Sequence, residues 1–236
     1  MLPENNKYRI LATGMKSAAR RQASAAYANA TLSTLLGVCA AECGMEAELY
    51  GFDGELDYPF VLRQNEGCAA FLHRLMQWEG GVLKTFDGRF VGISCAYAQS
   101  LPAAQTLKIS AQQAGIGYRR REDAEYCGLK IETPYAEAAA IDADAAGDNA
   151  PVINHLPALS AAQAGRWARG LLLTQNRQAE EASVQGVFNR GLTAMARVDV
   201  ESSTPAAGEW LVEEVTHDFV RKSSAARMLR CRNGIR

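Results

Sequence analysis

A chain of 236 residues, 48% hydrophobic and 22% charged, is long enough for one large or two small domains and has an ordinary globular composition. Its net charge of -1 argues against a partner held by bulk electrostatics. There is no run of 18 apolar residues to span a membrane, and Met1-Leu2-Pro3-Glu4-Asn5-Asn6-Lys7 lacks the apolar stretch of a secretion signal, so synthesis in the cytoplasm and no membrane insertion are expected.

Residues 8–15, Tyr-Arg-Ile-Leu-Ala-Thr-Gly-Met, read as a strand ending at a glycine turn. Leu32, Leu35, Leu36, Cys39, Ala40 and Cys43 then fall at spacings of three and four, one face of a helix. Asn29 or Thr31 can cap its start, and Gly44 is the left-handed stop. Glu46 to Leu56 is short, turn-rich and acidic. Val61 to Glu66 opens a second helix in this reading, with Asn65 as cap, apolar face Cys68, Phe71, Leu72, Leu75 and Met76, and Gly80-Gly81 as terminator. Val82–Phe86 and Arg89–Ile93 flank Asp87-Gly88, a pair that supplies the positive φ angles of a two-residue hairpin turn.

The segment 105–131 suggests further strands. Residues 136–150, nearly all Ala, Asp, Glu and Gly, offer little to bury and read as a loop or insertion. A third helix is expected from a Ser160 cap through Trp167, Leu171 and Leu172 to about Ala182, despite Gly165 and Gly170. Val184–Val200 and Trp210–Arg232 complete the chain as strands. In the last of these, Trp210 and Val212, then Val215, His217 and Phe219, alternate with polar neighbours, with a change of face near Glu213-Glu214. Without the βαβα rhythm of a parallel sheet, the fold class is α+β, with helices packed on mixed or antiparallel β. The expected division is a helix and hairpin domain over 1–100 and a barrel-like domain over 101–236, the latter carrying the 160–182 helix and the 136–150 loop.

Charge is segregated along the chain. Residues 37–62 hold six carboxylates and no Lys or Arg, 132–148 is acidic throughout, and from His217 onward six basic residues face only Asp218. Such blocks suit faces that meet different neighbours, although solvated surface is their commoner use.

No constellation of side chains spells out catalysis. His217 neighbours Thr216 and Asp218, but adjacent strand residues point to opposite faces, so Asp218 is badly placed to orient the imidazole and a packed structural histidine is the expectation. His73, beside Arg74 and two residues after Phe71, points off the apolar face; His155 is isolated. Glu213-Glu214 diverge on a strand, unlike a glycosidase pair. Gly115-Ile116-Gly117-Tyr118 is too short for a phosphate loop. Arg119-Arg120-Arg121 between Tyr118 and Tyr126, with the basic C-terminal tail, is the one nucleic-acid-like feature; a solvated or subunit-contacting edge is the more frequent use of such a run. The cysteines at 39, 43, 68, 95, 127 and 231 lack zinc-finger spacing. Buried free thiols, a disulfide formed after release from the cell, and a metal or iron–sulfur site stand in that order. No catalytic, cofactor-binding or metal-binding residue is therefore assigned, and no cofactor is implied.

The segment Gly208-Glu209-Trp210-Leu211-Val212-Glu213-Glu214-Val215-Thr216-His217-Asp218-Phe219, followed by Ala225 to Arg230, resembles the closing hairpin of baseplate hub proteins of contractile phage tails, the late-control D family, whose architecture is shared with VgrG-type secretion spikes. Asn65–Gly81 with the Asp87-Gly88 hairpin, Thr31–Gly44, and Ala161–Arg230 resemble further elements in family order. The family's Ser-Asp before the second helix is Gly67-Cys68 here. Family members carry an N-terminal β-barrel before the strand that matches 8–14; a separate small tail protein pairing beside 8–14 is expected to supply it.

The resemblance implies a non-enzymatic structural subunit of a phage or phage-like tail baseplate, a homotrimer joining tail tube to central spike. It implies contacts with the tube, spike or tip and tape-measure proteins, transient passage of DNA during genome ejection, and a place in the virion. The alternatives are a tail-associated cell-wall hydrolase and a fragment of a secretion-system spike protein.

Overall fold

The computed structural model describes residues 15–108 and 116–236; the strand expected at 8–14, and Gly115, lie outside the described residues. After a 3-10 turn at Ser17–Arg20, strand β1 (Ala23–Thr31) runs directly into helix α1 (Leu32–Glu42). The Thr31 side chain accepts from the Thr34 N–H and so satisfies a donor the helix start leaves unpaired. Gly44, at φ 59°, closes the far end as expected. All six residues of the apolar face are buried. β1 carries no strand signal of its own, since alanine packs poorly on a pleated surface.

Strand β2 (Glu46–Tyr50) is followed by β3 (Asp57–Glu66), then helix α2 (Cys68–Trp78). Residues 61–66, expected to open that helix, belong instead to β3, and Asn65 is not its cap. The cause is long-range: β3 pairs antiparallel with β1, Val61 opposite Tyr27 and Tyr58 opposite Ala30. Asn65 sits at φ 49° and donates its N–H to Ser24 Oγ at 3.0 Å. The cap position is Gly67, which makes no side-chain bond; a Cβ there would lie 2.6 Å from the Ala19 carbonyl oxygen, so the close approach of two backbones dictates glycine.

Strands β4 (Gly81–Phe86) and β5 (Arg89–Ser94) form the expected hairpin, with Asp87 at φ 47° and Gly88 at φ 72°, and β2 joins β5 in parallel. A short helix α3 (Cys95–Ser100), capped by Ser94, follows unanticipated. Then come β6 (Gln105–Lys108), β7 (Ile116–Arg120), β8 (Gly128–Glu132), β9 (Glu137–Ile141) and β10 (Val152–Ile153). The loop expected at 136–150 is thus partly strand: β9 pairs antiparallel with β8. Its alanines are small enough to lie under helix α4 (Ala161–Arg177), where a Cβ on Gly165 would be 3.7 Å from that of Ala138.

Ser160 caps α4 by accepting from the Gln163 N–H, as expected, but the helix stops at Arg177, short of Ala182. Residues 180–182 are drawn into β11 (Glu180–Val187), which pairs on both sides, with β7 and with β14. Strands β12 (Arg197–Glu201), β13 (Gly208–Asp218) and β14 (Ser223–Arg230) complete a six-stranded sheet of order β6-β12-β13-β14-β11-β7, curled as a half-barrel. The register of β13 on β14 shifts between Val212 and Glu214, at the expected change of face. The class is α+β. One core runs from Ala19 to Leu172 and draws on both sides of position 100; a second, around Trp210, Val198 and Met228, lines the curled sheet.

Candidate assembly surfaces

His217 behaves as a packed residue. Its Nδ1 is 2.8 Å from Ser224 Oγ, and its ring stacks edge-on to Phe188 with centroids 5.1 Å apart. Asp218 turns away from it, accepting the Val220 and Arg221 N–H groups at 2.9 and 2.8 Å to cap the turn. Glu213 pairs with Arg177 at 3.3 Å and Glu214 reaches Arg227 at 3.9 Å, so the two carboxylates serve different neighbours. His73 and His155 are exposed. Among the described residues no group of three or more His, Cys, Asp or Glu is arranged to hold a metal ion, and no helix is long and apolar enough to cross a membrane.

The basic run is fastened to the protein. Arg119 pairs with Glu181 at 3.2 Å, Arg120 with Glu125 at 3.3 Å, and Arg121 donates to the Gln178 carbonyl at 3.1 Å. The Tyr118 hydroxyl donates to Glu180 Oε2 at 3.1 Å. The guanidiniums therefore lock β7 to its surroundings, in place of an open stacking platform. Gly117 lies inside β7, where a Cβ would collide with Ser183.

All six cysteines are free thiols, four of them buried. Burial pushes the Cys39 thiol up to about 11 and that of Cys231 to about 12, which leaves both protonated and unreactive at neutral pH. Cys68 Sγ donates to Glu42 at 3.2 Å, and Arg63 holds the same carboxylate at 2.7 Å. The Arg63 hydrogen bond is the main reason that the Glu42 carboxyl sits below its ordinary range.

Two buried polar clusters escaped sequence reasoning. Glu79, just past α2, accepts from the Tyr58 hydroxyl and Trp167 Nε1, both at 2.8 Å, and pairs with Arg166 at 3.2 Å, tying α2, β3 and α4 together. Glu125 is fully buried between Arg120 and Arg232, the latter 2.5 Å away, and Arg232 also reaches Glu180. Arg230 bonds Glu180 at 2.9 Å and lies over the Trp210 ring at 4.1 Å. Desolvation raises the Glu125 carboxyl, but hydrogen bonds from Arg232 and the Ala146 N–H, with the charge of Arg120, outweigh it and hold the group low. An acidic residue beside Trp or after a helix is too common a pattern to have flagged either cluster.

What the fold leaves open is surface. Among the described residues, β6 pairs only with β12 and β7 only with β11, so each end of the curled sheet presents backbone donors and acceptors. Val187, Phe219 and Val220 stand 85%, 75% and 93% exposed at one end of that sheet, and Phe188 packs on His217 and Phe219 beneath them. A cavity of about 410 Å³ opens between the turn after β2, helix α4 and the C-terminal segment. Phe219, expected from the alternation to share the strand face of Val215 and His217, instead lies in the turn with Val220, because β13 ends at Asp218.

No family model matches the chain, and no curated protein does. Solved structures do. The fold is that of phage tail proteins. The 43 kDa tail protein of prophage MuSo2 from Shewanella oneidensis superposes with a TM-score of 0.67 at 15% identity, over 87% of this chain and 66% of that one. The tail protein from Neisseria meningitidis MC58 gives 0.67 at 12% identity, over 87% and 68%. The Escherichia coli c3393 protein, a component of the type VI secretion system with structural similarity to T4 tail proteins gp27 and gp5, gives 0.52 at 12% identity, over 90% and 51%. This chain thus spans about two thirds of the length of the two tail proteins and half that of the secretion component.

Proposed function

We propose that this chain is a non-enzymatic structural subunit of a phage or phage-like tail, placed in the baseplate hub. The observation that carries the reading is the superposition of 87% of the chain on tail proteins at a TM-score of 0.67. Physical chemistry agrees with it. His217 packs against Phe188 and Ser224 and the paired glutamates form ion pairs, while open sheet ends and exposed apolar side chains offer contacts to neighbours. In this role the chain assembles as a homotrimer on the tail axis, joins the tube protein to the spike or tip protein, meets the tape-measure protein, and borders the channel through which DNA leaves. It is made in the host cytoplasm and ends in the virion.

Mass measurement of a purified tail tip tests this directly, with three copies per particle expected. Six or twelve copies, or a peripheral location, exclude the hub. A peptidoglycan zymogram is expected to stay blank; clearing by the wild-type chain that disappears in His217→Ala overturns the non-enzymatic reading in favour of a cell-wall hydrolase.

A further inference from the structure

Two surfaces of this chain are each unfinished. At the β13–β14 turn, Phe219 and Val220 lie in solvent with Arg190, Arg221 and Lys222 close in sequence or across the strand ends. Among the described residues Arg190 and Lys222 have no carboxylate partner, and Arg221 reaches only Asp218, at 3.7 Å. The tip is apolar and positive.

The second surface surrounds the 410 Å³ cavity. Its apolar lining comes from Phe52, Leu56, Leu173 and Ile235. A space of that size falls in the range of about 300–1,000 Å³ that accepts drug-sized ligands, so an aromatic side chain fits it. Asp53 lines the mouth, with Glu55 and Asp57 following in an exposed stretch that contains no Lys or Arg. Asp53 Oδ1 accepts the Glu55 N–H, and none of the three carboxylates pairs with a cation among the described residues. Three arginines also line the cavity. Glu79 neutralises Arg166, and Glu125 with Glu180 neutralises Arg232, which leaves Arg169 unpaired. The Nε2 of buried Gln99, another lining residue, has no hydrogen-bond partner.

We infer that the β13–β14 tip of one copy of this chain seats in this cavity of a second copy, with Phe219 as the apolar anchor, Arg221 and Lys222 against Asp53 and Glu55, and Asp218 toward Arg169. An aromatic anchor in a pocket, rimmed by opposite charges, is how protein interfaces concentrate affinity and fix orientation. The donor and acceptor surfaces differ, so the contact is head-to-tail, the kind that builds a ring when the rotation between copies closes and a filament when it does not. The other acidic stretch, 132–148, also exposes apolar side chains, Tyr135 and Ile141. Lys130, however, already holds its Glu132 and Glu137 at 2.8 Å each. The inference rests on the reading of this chain as an assembly subunit.

The experiment uses the full chain with Val220→p-benzoylphenylalanine, irradiated at high micromolar concentration, followed by peptide mapping of inter-chain adducts. Adducts within 51–57 and the facing part of α4 are expected. Asp53→Lys is expected to weaken self-association about tenfold, and adding Lys222→Glu to restore it, a recovery that misfolding cannot produce. Adducts at 132–148, adducts from tip to tip, or a monomer at every concentration overturn the contact. If adducts map elsewhere while the tail tip still holds three copies, this contact alone fails. If the chain is missing from tail particles, the tail reading fails, and the adduct map still decides the contact.

Discussion

The helix-filled core and the curled sheet reach stability by different routes. In the first, α1, α2 and α4 bury Leu32, Leu35, Phe71, Leu75, Trp167 and their neighbours from several sides, and the Glu79 carboxylate among them accepts from Tyr58, Trp167 and Arg166. In the second, a small cluster around Trp210, Val198 and Met228 covers one face, while arginine–carboxylate pairs along β7, β11 and β14 bind the strands laterally. The first core still opens at the cavity mouth, the acceptor side of the inferred contact. The sheet, covered on one face and fastened from the side, keeps its ends and its hairpin tip free, so each half brings a different surface to its neighbours.

Substitutions can break or sharpen this contrast. Trp167→Ala removes one of the two tryptophans of the first core and one of the donors to Glu79, and a loss of about 3–5 kcal/mol is expected in urea unfolding. If Trp210 fluorescence, isolated by adding Trp78→Phe, still melts at the midpoint of the Trp78→Phe parent, the two cores unfold separately. Glu125→Gln tests the lateral fastening by leaving buried Arg232 with Glu180 alone; about 3 kcal/mol is expected.

The same carboxylate gives a pH test. Glu125 and Glu42 are held below their ordinary values in the fold. The stability they add is complete above the unfolded value of about 4.3 and is lost as pH falls through the lower folded value. Urea midpoints measured from pH 7 down to pH 3 are therefore expected to drop below about pH 4, and less steeply in Glu125→Gln. Ser160→Ala, which removes the α4 cap, is expected to cost about 1 kcal/mol. Phe219→Ser belongs at the bottom of the scale: within about 0.5 kcal/mol of wild type by calorimetry, because its side chain is already in water.

Local chemistry was legible in the sequence where a few adjacent residues decide the outcome. Thr31 and Gly44 bound their helix, Asp87-Gly88 closes its hairpin, Ser160 caps α4, and the change of face in β13 falls between Val212 and Glu214. Pairing partners far along the chain were not legible. Val61–Glu66 leads straight into the apolar helix face that begins at Cys68, and only pairing with the alanine-rich β1, 30-odd positions earlier, turns it into strand. Ala138–Ala140 became strand because α4 lies against them, and Glu180–Ala182 because β7 and β14 claim their backbone groups. Neither candidate surface was legible. Alternation set Phe219 on the strand face of Val215 and His217, whereas β13 ends at Asp218 and leaves it in the turn. The cavity forms only when Phe52, Leu173 and Ile235 meet after folding.

The extra residue in β13 sets a rule for how this hairpin can change in length. Before it, Trp210 and Val212 face the core; after it, Val215 takes over that side. Side chains alternate with a period of two, so any odd insertion or deletion beyond the bulge turns every later residue over, sending Val215 to water and Thr216 inward. Removing Glu213 itself only erases the bulge: Glu214 then follows Val212 in the ladder, and Val215 stays on the core side. The arm can therefore grow or shrink only by residue pairs, added opposite one another on β13 and β14. Phe219 can be carried farther out or drawn back in steps of about 7 Å without disturbing Trp210.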